Sequence, residues 1–301
     1  MCAYLRRYHA IEFITAFLNN AANDDDISGG TMLARLYGIR ITSPKWRFSR
    51  SEYYFTREEN VIAKGLASVK YIGRSVAETM YRLSQNKRYE YFTDLLSDAF
   101  RARLDTRQLQ ILISIDYFSE FGNQRELFQI AEMFELFKRG SAKQVRRERI
   151  DGTAYEAAVR AHSTWATKSG EESKSYTLEG PMAIIHECEA AILSIGLPDV
   201  DAASKARAFT EIMGYAGYSS GLEEDRRKLY VREVFPVCRK RDGKQFGYNI
   251  LTQSIGSGIE GRFTIYNRTY EKDPVKKGDF IFCDRYVQEG RYFELAAYHH
   301  L

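Results

Sequence analysis

The run Lys64-Gly-Leu-Ala-Ser-Val-Lys-Tyr-Ile-Gly-Arg-Ser-Val-Ala-Glu-Thr-Met80 constrains this chain more than any other. Two short helix-forming stretches flank a tight turn, Lys70-Tyr71-Ile72-Gly73, and Arg74, Ser75, Val76 and Ala77 open the second helix. Gly73 lets the backbone turn closely and leaves room for an anion to approach. The first N–H groups of the second helix have no intrahelical partner, and the helix dipole favours negative charge there. Ile72 and Val76 are expected to lock the two helices together.

This is the pattern of a helix-hairpin-helix, a module that grips the sugar-phosphate backbone of DNA. Its contacts would come from Lys70, Tyr71, Ile72, Gly73, Arg74 and Ser75. The alternative is a structural αα-hairpin, since most Gly-bearing turns between helices are only turns. The more usual hairpin also has Gly two residues before the second one, where this chain has Tyr71.

The 301 residues suffice for two domains or one large one, and a hydrophobic content of 44% supports real cores. The net charge of +4, from 44 basic and 40 acidic residues, is too mild to prove nucleic-acid binding, so any contact surface must come from local clustering. Cys2, Cys188, Cys238 and Cys283 are far apart, which reads as reduced thiols of a cytoplasmic protein and excludes a disulfide framework or zinc site. No apolar run approaches membrane-spanning length, and the N-terminus shows no signal-peptide pattern.

Apolar spacing predicts a helix over 3–20, broken at Asn23-Asp-Asp-Asp26 and Ser28-Gly-Gly30, and a second over 31–37. Residues 51–56 and 61–64 read as a small β-hairpin. Helices follow at 89–99, 106–114 and 123–139. The span 140–175 is charged and polar and reads as a connector, with helices at 181–195 and 202–211 after it. From residue 212 short strands rich in Tyr, Phe, Val and Ile are expected at 213–218, 228–240, 246–252, 261–267, 279–287 and 292–298. The fold class is therefore α+β: an N-terminal all-α helix-hairpin-helix module followed by a small β-barrel, an OB-fold being the leading candidate. The expected domains are 1–50, 51–139, 140–211 and 212–301.

In this order the chain resembles the C-terminal part of the alpha subunit of bacterial or phage DNA polymerase III. Ala3-Tyr-Leu-Arg-Arg-Tyr-His-Ala-Ile-Glu-Phe13 is similar to that family's A-Y-L-K-x-x-Y-P-x-E-F helix near the end of the fingers. Gly38-Ile-Arg-Ile-Thr-Ser-Pro44 resembles its G-I-x-V-x-P-P-D turn. Ile62-Ala-Lys-Gly-Leu-Ala-Ser-Val-Lys-Tyr-Ile-Gly73 resembles its I-x-x-G-L-x-x-I-K-G-V-G. Leu112-Ile-Ser-Ile-Asp-Tyr-Phe-Ser-Glu-Phe-Gly-Asn123 is similar to L-I-K-x-G-A-F-D-x-F-G-N, in a second hairpin-like unit. The resemblance covers 3–139 by motif and 205–301 by architecture. His9, Tyr71 and Asp116-Tyr117 depart from the pattern.

The resemblance implies a DNA-directed polymerase whose palm carboxylates hold magnesium. Those residues precede the fingers, and this chain begins in the fingers, so it is expected to be a polymerase fragment with no cofactor and no catalytic residue of its own. Asp24-Asp-Asp26 reads as a solvated loop. Gln129-Ile-Ala-Glu-Met-Phe134 is similar to the family's peptide for a sliding clamp, but it also continues an amphipathic helix, and buried packing is the better reading. Arg146 and Arg147 belong to a basic cluster that is either solvated linker or a phosphate contact. In the barrel, aromatics such as Tyr215, Tyr230 and Tyr248 lie among Arg232, Lys240 and Arg262, a mixture suited to single-strand stacking, although most rings must fill the core. The expected partners are double-stranded DNA, then single-stranded DNA, a palm-bearing polymerase chain and a sliding clamp, with no membrane. The rival reading is a non-catalytic helix-hairpin-helix and OB-fold protein serving repair or an accessory role.

Overall fold

The computed structural model describes residues 2–166, 172–214, 217–239, 241, 243–289 and 292–301. They form two units, Met1–Val200 and Asp201–Leu301.

The first unit begins with α1 (Cys2–Tyr8) and α2 (Ala10–Asn19), separated at His9, whose φ of −137° and ψ of 50° interrupt the single helix expected over 3–20. The next helix, α3 (Asp24–Leu36), starts where a break was expected. Asn23 is its N-cap, its side chain accepting from the Asp26 N–H at 2.8 Å. The acidic run is thus the first turn of a helix, where the dipole favours carboxylates, and no separate loop. Three short strands follow, β1 (Arg40–Thr42), β2 (Tyr54–Thr56) and β3 (Val61–Ala63), in the order β1-β3-β2. The expected hairpin is β2–β3, and β1 joins it in parallel. Asn19 ties helix to sheet: its Nδ2 donates to Tyr53 O at 2.9 Å and its Oδ1 accepts from Tyr53 N at 2.8 Å. Ile14, Leu18, Ala34, Ile39 and Ile62 form the core between them.

The helices α4 (Arg74–Asn86), α5 (Phe92–Arg101), α6 (Thr106–Ser114) and α7 (Gln124–Leu136) carry the hairpin region. Their core is strongly aromatic. Trp46, 2% exposed, lies within 5.8–6.4 Å of the Tyr89, Tyr117, Phe118 and Phe121 rings, and its backbone N–H donates to Tyr117 O at 2.8 Å. The loop before β2 is thereby strapped to the turn before α7.

The span read as a connector has structure of its own. β4 (Gln144–Arg146), α8 (Glu156–Ala161), β5 (Ser163–Ala166) and β6 (Glu172–Leu178) form a sheet of order β4-β6-β5 with one short helix, followed by α9 (Pro181–Ser194). Val145, Ile150, Val159 and Tyr176 are buried there, so sparse apolar residues suffice for a small core once α9 supports them. The part of the expected connector at 167–171 lies outside the described residues.

The second unit opens with α10 (Ala202–Met213). Of the strand expected at 213–218, the described residues carry none: Met213 ends α10, Gly214 terminates it in the left-handed region, and 217–218 are irregular, while 215–216 lie outside the described residues. The strands β7 (Lys228–Cys238), β8 (Gln245–Ser254), β9 (Glu260–Tyr266), β10 (Phe280–Glu289) and β11 (Tyr292–His300) close a barrel of order β7-β8-β9-β11-β10, with the short α11 (Asn267–Tyr270) between β9 and β10. Only β9–β11 is parallel; the other four pairs are antiparallel. First, second, third, fifth and fourth strands in a closed ring are the OB-fold topology. Leu229, Val231, Ile250, Ile265, Val275, Ile281 and Leu295 fill the interior. The α+β class, with helices ahead of an OB-like barrel, is as the sequence led us to expect.

One position of the first unit permits a direct test. A Cβ on Gly65 would lie 2.4 Å from Glu52 C and 2.5 Å from Ser51 O, both backbone atoms. Gly65→Ala should therefore destabilise the protein by about 2–3 kcal/mol or more, read by urea denaturation. Gly73→Ala meets no atom within 4 Å and should stay within about 1 kcal/mol of the parent.

Candidate nucleic-acid interface

The turn at 70–73 is built differently from a hairpin between two full helices. The segment before it is one 3₁₀ turn, Leu66–Ser68, because its backbone is already committed: Leu66 N donates to Arg50 O at 2.8 Å and Ala67 N to Ser51 O at 3.0 Å. Those bonds to the loop before β2 replace the bonds a longer helix would need. Leu66, Val69 and Ile72 are buried, as are Ala77 and Met80 of α4, while Val76 is half-buried. Ile72 is buried, but the first of the two helices that it and Val76 were expected to lock together is only a 3₁₀ turn, and on α4 the buried apolar positions are Ala77 and Met80.

The residue that makes the turn is Tyr71, with φ of +67°, and not Gly73. Gly73 has φ −72° and ψ 157°, a conformation open to any residue, and its missing Cβ faces empty space. Nothing within the chain therefore requires glycine at 73. What its absence of a side chain does is bare the backbone at the start of α4.

That start is chemically distinct from its neighbours. The side chain of Asp105 accepts from Gln108 N at 2.7 Å and caps α6, with Gln108 Oε1 returning the bond to Asp105 N. Asn123 and Glu126 form the same reciprocal box on α7. The start of α5 is capped from a distance: the buried Glu189 of α9 accepts from Phe92 N at 2.6 Å, Thr93 N at 3.0 Å and Thr93 Oγ1 at 2.6 Å. Of α4, α5, α6 and α7, α4 alone begins with no side-chain acceptor. Its first N–H groups, with Arg74 and Ser75 exposed beside them, present an uncompensated positive end.

A second turn stands next to the first. Arg103 (φ +71°), the buried Leu104 and the N-cap Asp105 repeat the sequence of states at Tyr71, Ile72 and Gly73. Gln108 Nε2 donates to Tyr71 O at 3.0 Å, and the Arg107 guanidinium lies 3.7 Å from the centre of the exposed Tyr71 ring. Sequence reading placed the second unit at 112–123. There Asp116 (φ +59°) leads into buried Tyr117 and Phe118, which hold Trp46. The readable signal at 103–108 was the capping pair Asp105 and Gln108.

The charges around α4 are mixed. Lys70 is exposed at the turn. Arg74 contacts Glu52 through Nη2, and its Nε lies 3.8 Å from Glu78 Oε1. Lys64, at the head of the motif, is 3% exposed and so no phosphate contact; burial first, and the nearby Arg35 charge second, bring its amine down to about 7.

The remaining residues singled out from sequence are dispersed. Arg146 is exposed and 3.3 Å from Glu148. Arg147 is mostly buried, paired with Asp151 at 3.3 Å. In the barrel unit Tyr230 packs 5.0 Å from Phe280, beside a core patch that includes Ala203 and Ala206 of α10, and burial raises its phenol pKa. Tyr248 stacks on Tyr270 of α11 at 3.7 Å. Arg232 pairs with Glu260 at 2.5 Å, and Arg262 is exposed. Tyr215 and Lys240 lie outside the described residues. In the clamp-like segment Ile130, Met133 and Phe134 are buried and only Gln129 and Glu132 face solvent, so it is a packed helix. Among the described residues no group of three or more His, Cys, Asp or Glu side chains is arranged to hold a metal ion, and no helix is long and apolar enough to cross a membrane.

Residues 38–128 match a family described as "Helix-hairpin-helix motif". The chain is similar to DNA polymerase III subunit alpha of Ureaplasma parvum, 21% identical over 138 residues, which are 46% of this chain and 14% of that protein. It is 29% identical over 127 residues to the subunit of the same name from Bacillus subtilis, 41% of this chain and 11% of that protein, and 25% identical over 127 residues to that of Campylobacter jejuni. The chain thus spans a small part of the length of the curated relatives it matches. These matches bear out the helix-hairpin-helix and the resemblance to the alpha subunit read from the motifs.

The environment of Lys64 has a consequence for stability. Its folded pKa, about 7, lies below the ordinary 10.5. Between those values the unfolded chain holds the proton and the folded chain does not, so stability rises with pH across that window, and the penalty is fully present below about pH 7. Lys64→Met should be more stable than the parent at pH 7 and lose this part of the rise, measured by urea denaturation at pH 7 and pH 9.

Proposed function

We propose that this chain is a DNA-binding portion of a replicative DNA polymerase III alpha subunit, working in the cytoplasm and holding template-primer duplex by its phosphates. The single observation that carries the reading is the start of α4: an uncapped helix end of 13 residues, fronted by a glycine that neither conformation nor packing demands. A phosphate oxygen is the natural acceptor for those N–H groups. The turn backbone at Ile72 and Gly73 and the N–H groups of Arg74 and Ser75 donate, while Lys70 adds charge. Tyr71 presents a flat ring for the sugar-phosphate surface. Contacts of this kind carry no base information, so unrelated duplexes are bound alike.

The barrel supports a second contact, with single-stranded DNA. The half-exposed Tyr286 ring lies 6.4 Å from Phe263 and 6.2 Å from Phe293, and Arg262 is exposed on the same strand as Phe263. Aromatic rings with cations at hand stack bases without choosing among them. In this reading Tyr286 takes the part given from sequence to Tyr230 and Tyr248, which are occupied in packing. The polymerase step and its magnesium belong to a palm supplied by a further chain or segment. Sliding-clamp binding is not assigned to the buried face of α7.

Duplex binding is tested by fluorescence anisotropy over a salt series. Affinity should fall by roughly 0.9 log units per log unit of salt for each phosphate neutralised. Gly73→Val should weaken all duplexes about tenfold while leaving the circular dichroism spectrum unchanged, because the branched side chain blocks the approach of a phosphate to the backbone. A folded Gly73→Val protein with parental affinity would make the turn purely structural. Primer extension by the purified chain with magnesium and four nucleotides should give no incorporation. Template-dependent extension would remove the assignment of a separate palm, and co-purification with no palm-bearing chain in the cells of origin would favour an accessory or repair role.

A further inference from the structure

The guanidinium of Arg74 stands at the end of α4 that a phosphate would approach, and a carboxylate already holds it. Glu52 contacts it through Oε1, and Glu78, one turn along the helix, lies 3.8 Å away. All three side chains are more than half exposed, so the pair adds little to the stability of the fold. Yet the position of Glu52 is closely specified. Its backbone is the surface against which Gly65 packs, Ser51 O before it accepts from Ala67 N, and the Asn19 amide clasps Tyr53 after it. A cleft of about 440 Å³, lined by Asn19, Ser51, Glu52, Ser68 and Arg74, opens beside the pair. An anion is thus presented by a rigid loop at the one uncapped helix start of the hairpin region.

We propose that Glu52 is an intramolecular competitor for the phosphate at this site, a residue that lowers duplex affinity by occupying Arg74 until DNA displaces it. The inference rests on the reading that the start of α4 binds duplex. A lone anion in solution must displace a tethered carboxylate, whereas a duplex brings several phosphates at once and pulls Arg74 across. The effect is to favour polyanions over single anions and to keep each contact weak enough to be remade as the protein moves along the helix.

Glu52→Gln removes the charge and keeps the shape. It should bind duplex about three- to tenfold more tightly at low salt. Its salt slope should stay close to the parent's, because Arg74 neutralises the same phosphate in both complexes and only the cost of displacing Glu52 is removed. The second arm is the same substitution in an Arg74→Ala background, where most of the gain should vanish if Glu52 acts through Arg74. Glu78→Gln, at the longer distance, should give a smaller gain than Glu52→Gln. Thermal unfolding confirms that each variant is folded. An unchanged affinity for Glu52→Gln, or an equal gain with and without Arg74, overturns the competitor role while leaving duplex binding by α4 intact. Parental affinity in Gly73→Val overturns the binding site and the competitor with it.

Discussion

The contact between Gly65 and the backbone of Ser51 and Glu52 is the constraint on which the hairpin region depends. It is a packing of main chain on main chain that any side chain at 65 would break. The bonds that accompany it, Leu66 N to Arg50 O and Ala67 N to Ser51 O, stop the chain from continuing as a helix out of β3. One 3₁₀ turn remains, and the chain must then reverse within Lys70–Ile72 before α4 can start. The reversal falls on Tyr71, which accepts a left-handed backbone that costs a non-glycine residue about 1 kcal/mol or more. Its ring under Arg107 and its carbonyl bonded to Gln108 are native contacts that offset that cost.

Much of this was legible in the sequence because it rests on local rules. Apolar periodicity located α6 over Thr106–Ser114 and α7 to within a few residues, and the alternation in the second unit located all five barrel strands. What could not be read were the places where distant chain decides local state. Glycines 29 and 30 read as a break, yet α3 runs through them, held by the Asn23 cap and by packing against α2. The span after α7 read as a connector because its charges are plentiful; its small core needs α9, which lies further along the chain. The site was legible to the same degree. The motif locates the turn, but it points to Gly73 for the bend that Tyr71 makes, and nothing in it shows that Glu52, 22 positions before Arg74, contacts the Arg74 side chain.

The caps show how selectively the helix ends are treated. An exposed helix start is ordinarily satisfied by its own N-cap, as at Asp105, Asn123 and Asp201. A buried one has no water to fall back on, and α5 obtains three bonds from Glu189, nearly a hundred residues away in sequence. The carboxylate in turn is tolerable at 2% exposure only because those donors surround it. His186 of α9, stacked on Tyr91 at 4.0 Å and bonded to Asp94 at 3.0 Å, adds to the same junction. The stretch of chain from α5 to α9, which carries α6, α7, α8 and the β4-β6-β5 sheet, is closed by this group of polar contacts.

The two adjacent turns then differ in one respect that bears on function. Tyr71-Ile72-Gly73 and Arg103-Leu104-Asp105 share a left-handed residue, a buried apolar anchor and an N-cap, so their backbones are prepared alike. In the second, the cap residue is a carboxylate that satisfies the Gln108 N–H itself. In the first, the cap is a glycine and the carboxylate is moved to Glu52, on another loop, where it reaches the Arg74 side chain and leaves the helix N–H groups open. A carboxylate bonded within its own turn cannot yield to a ligand without breaking the cap. One held by an exposed ion pair can yield at little cost to the fold. In the proposed reading, displacing the acidic group from the cap to a neighbouring loop is what separates a turn that only folds from one whose helix N–H groups stay open to a phosphate.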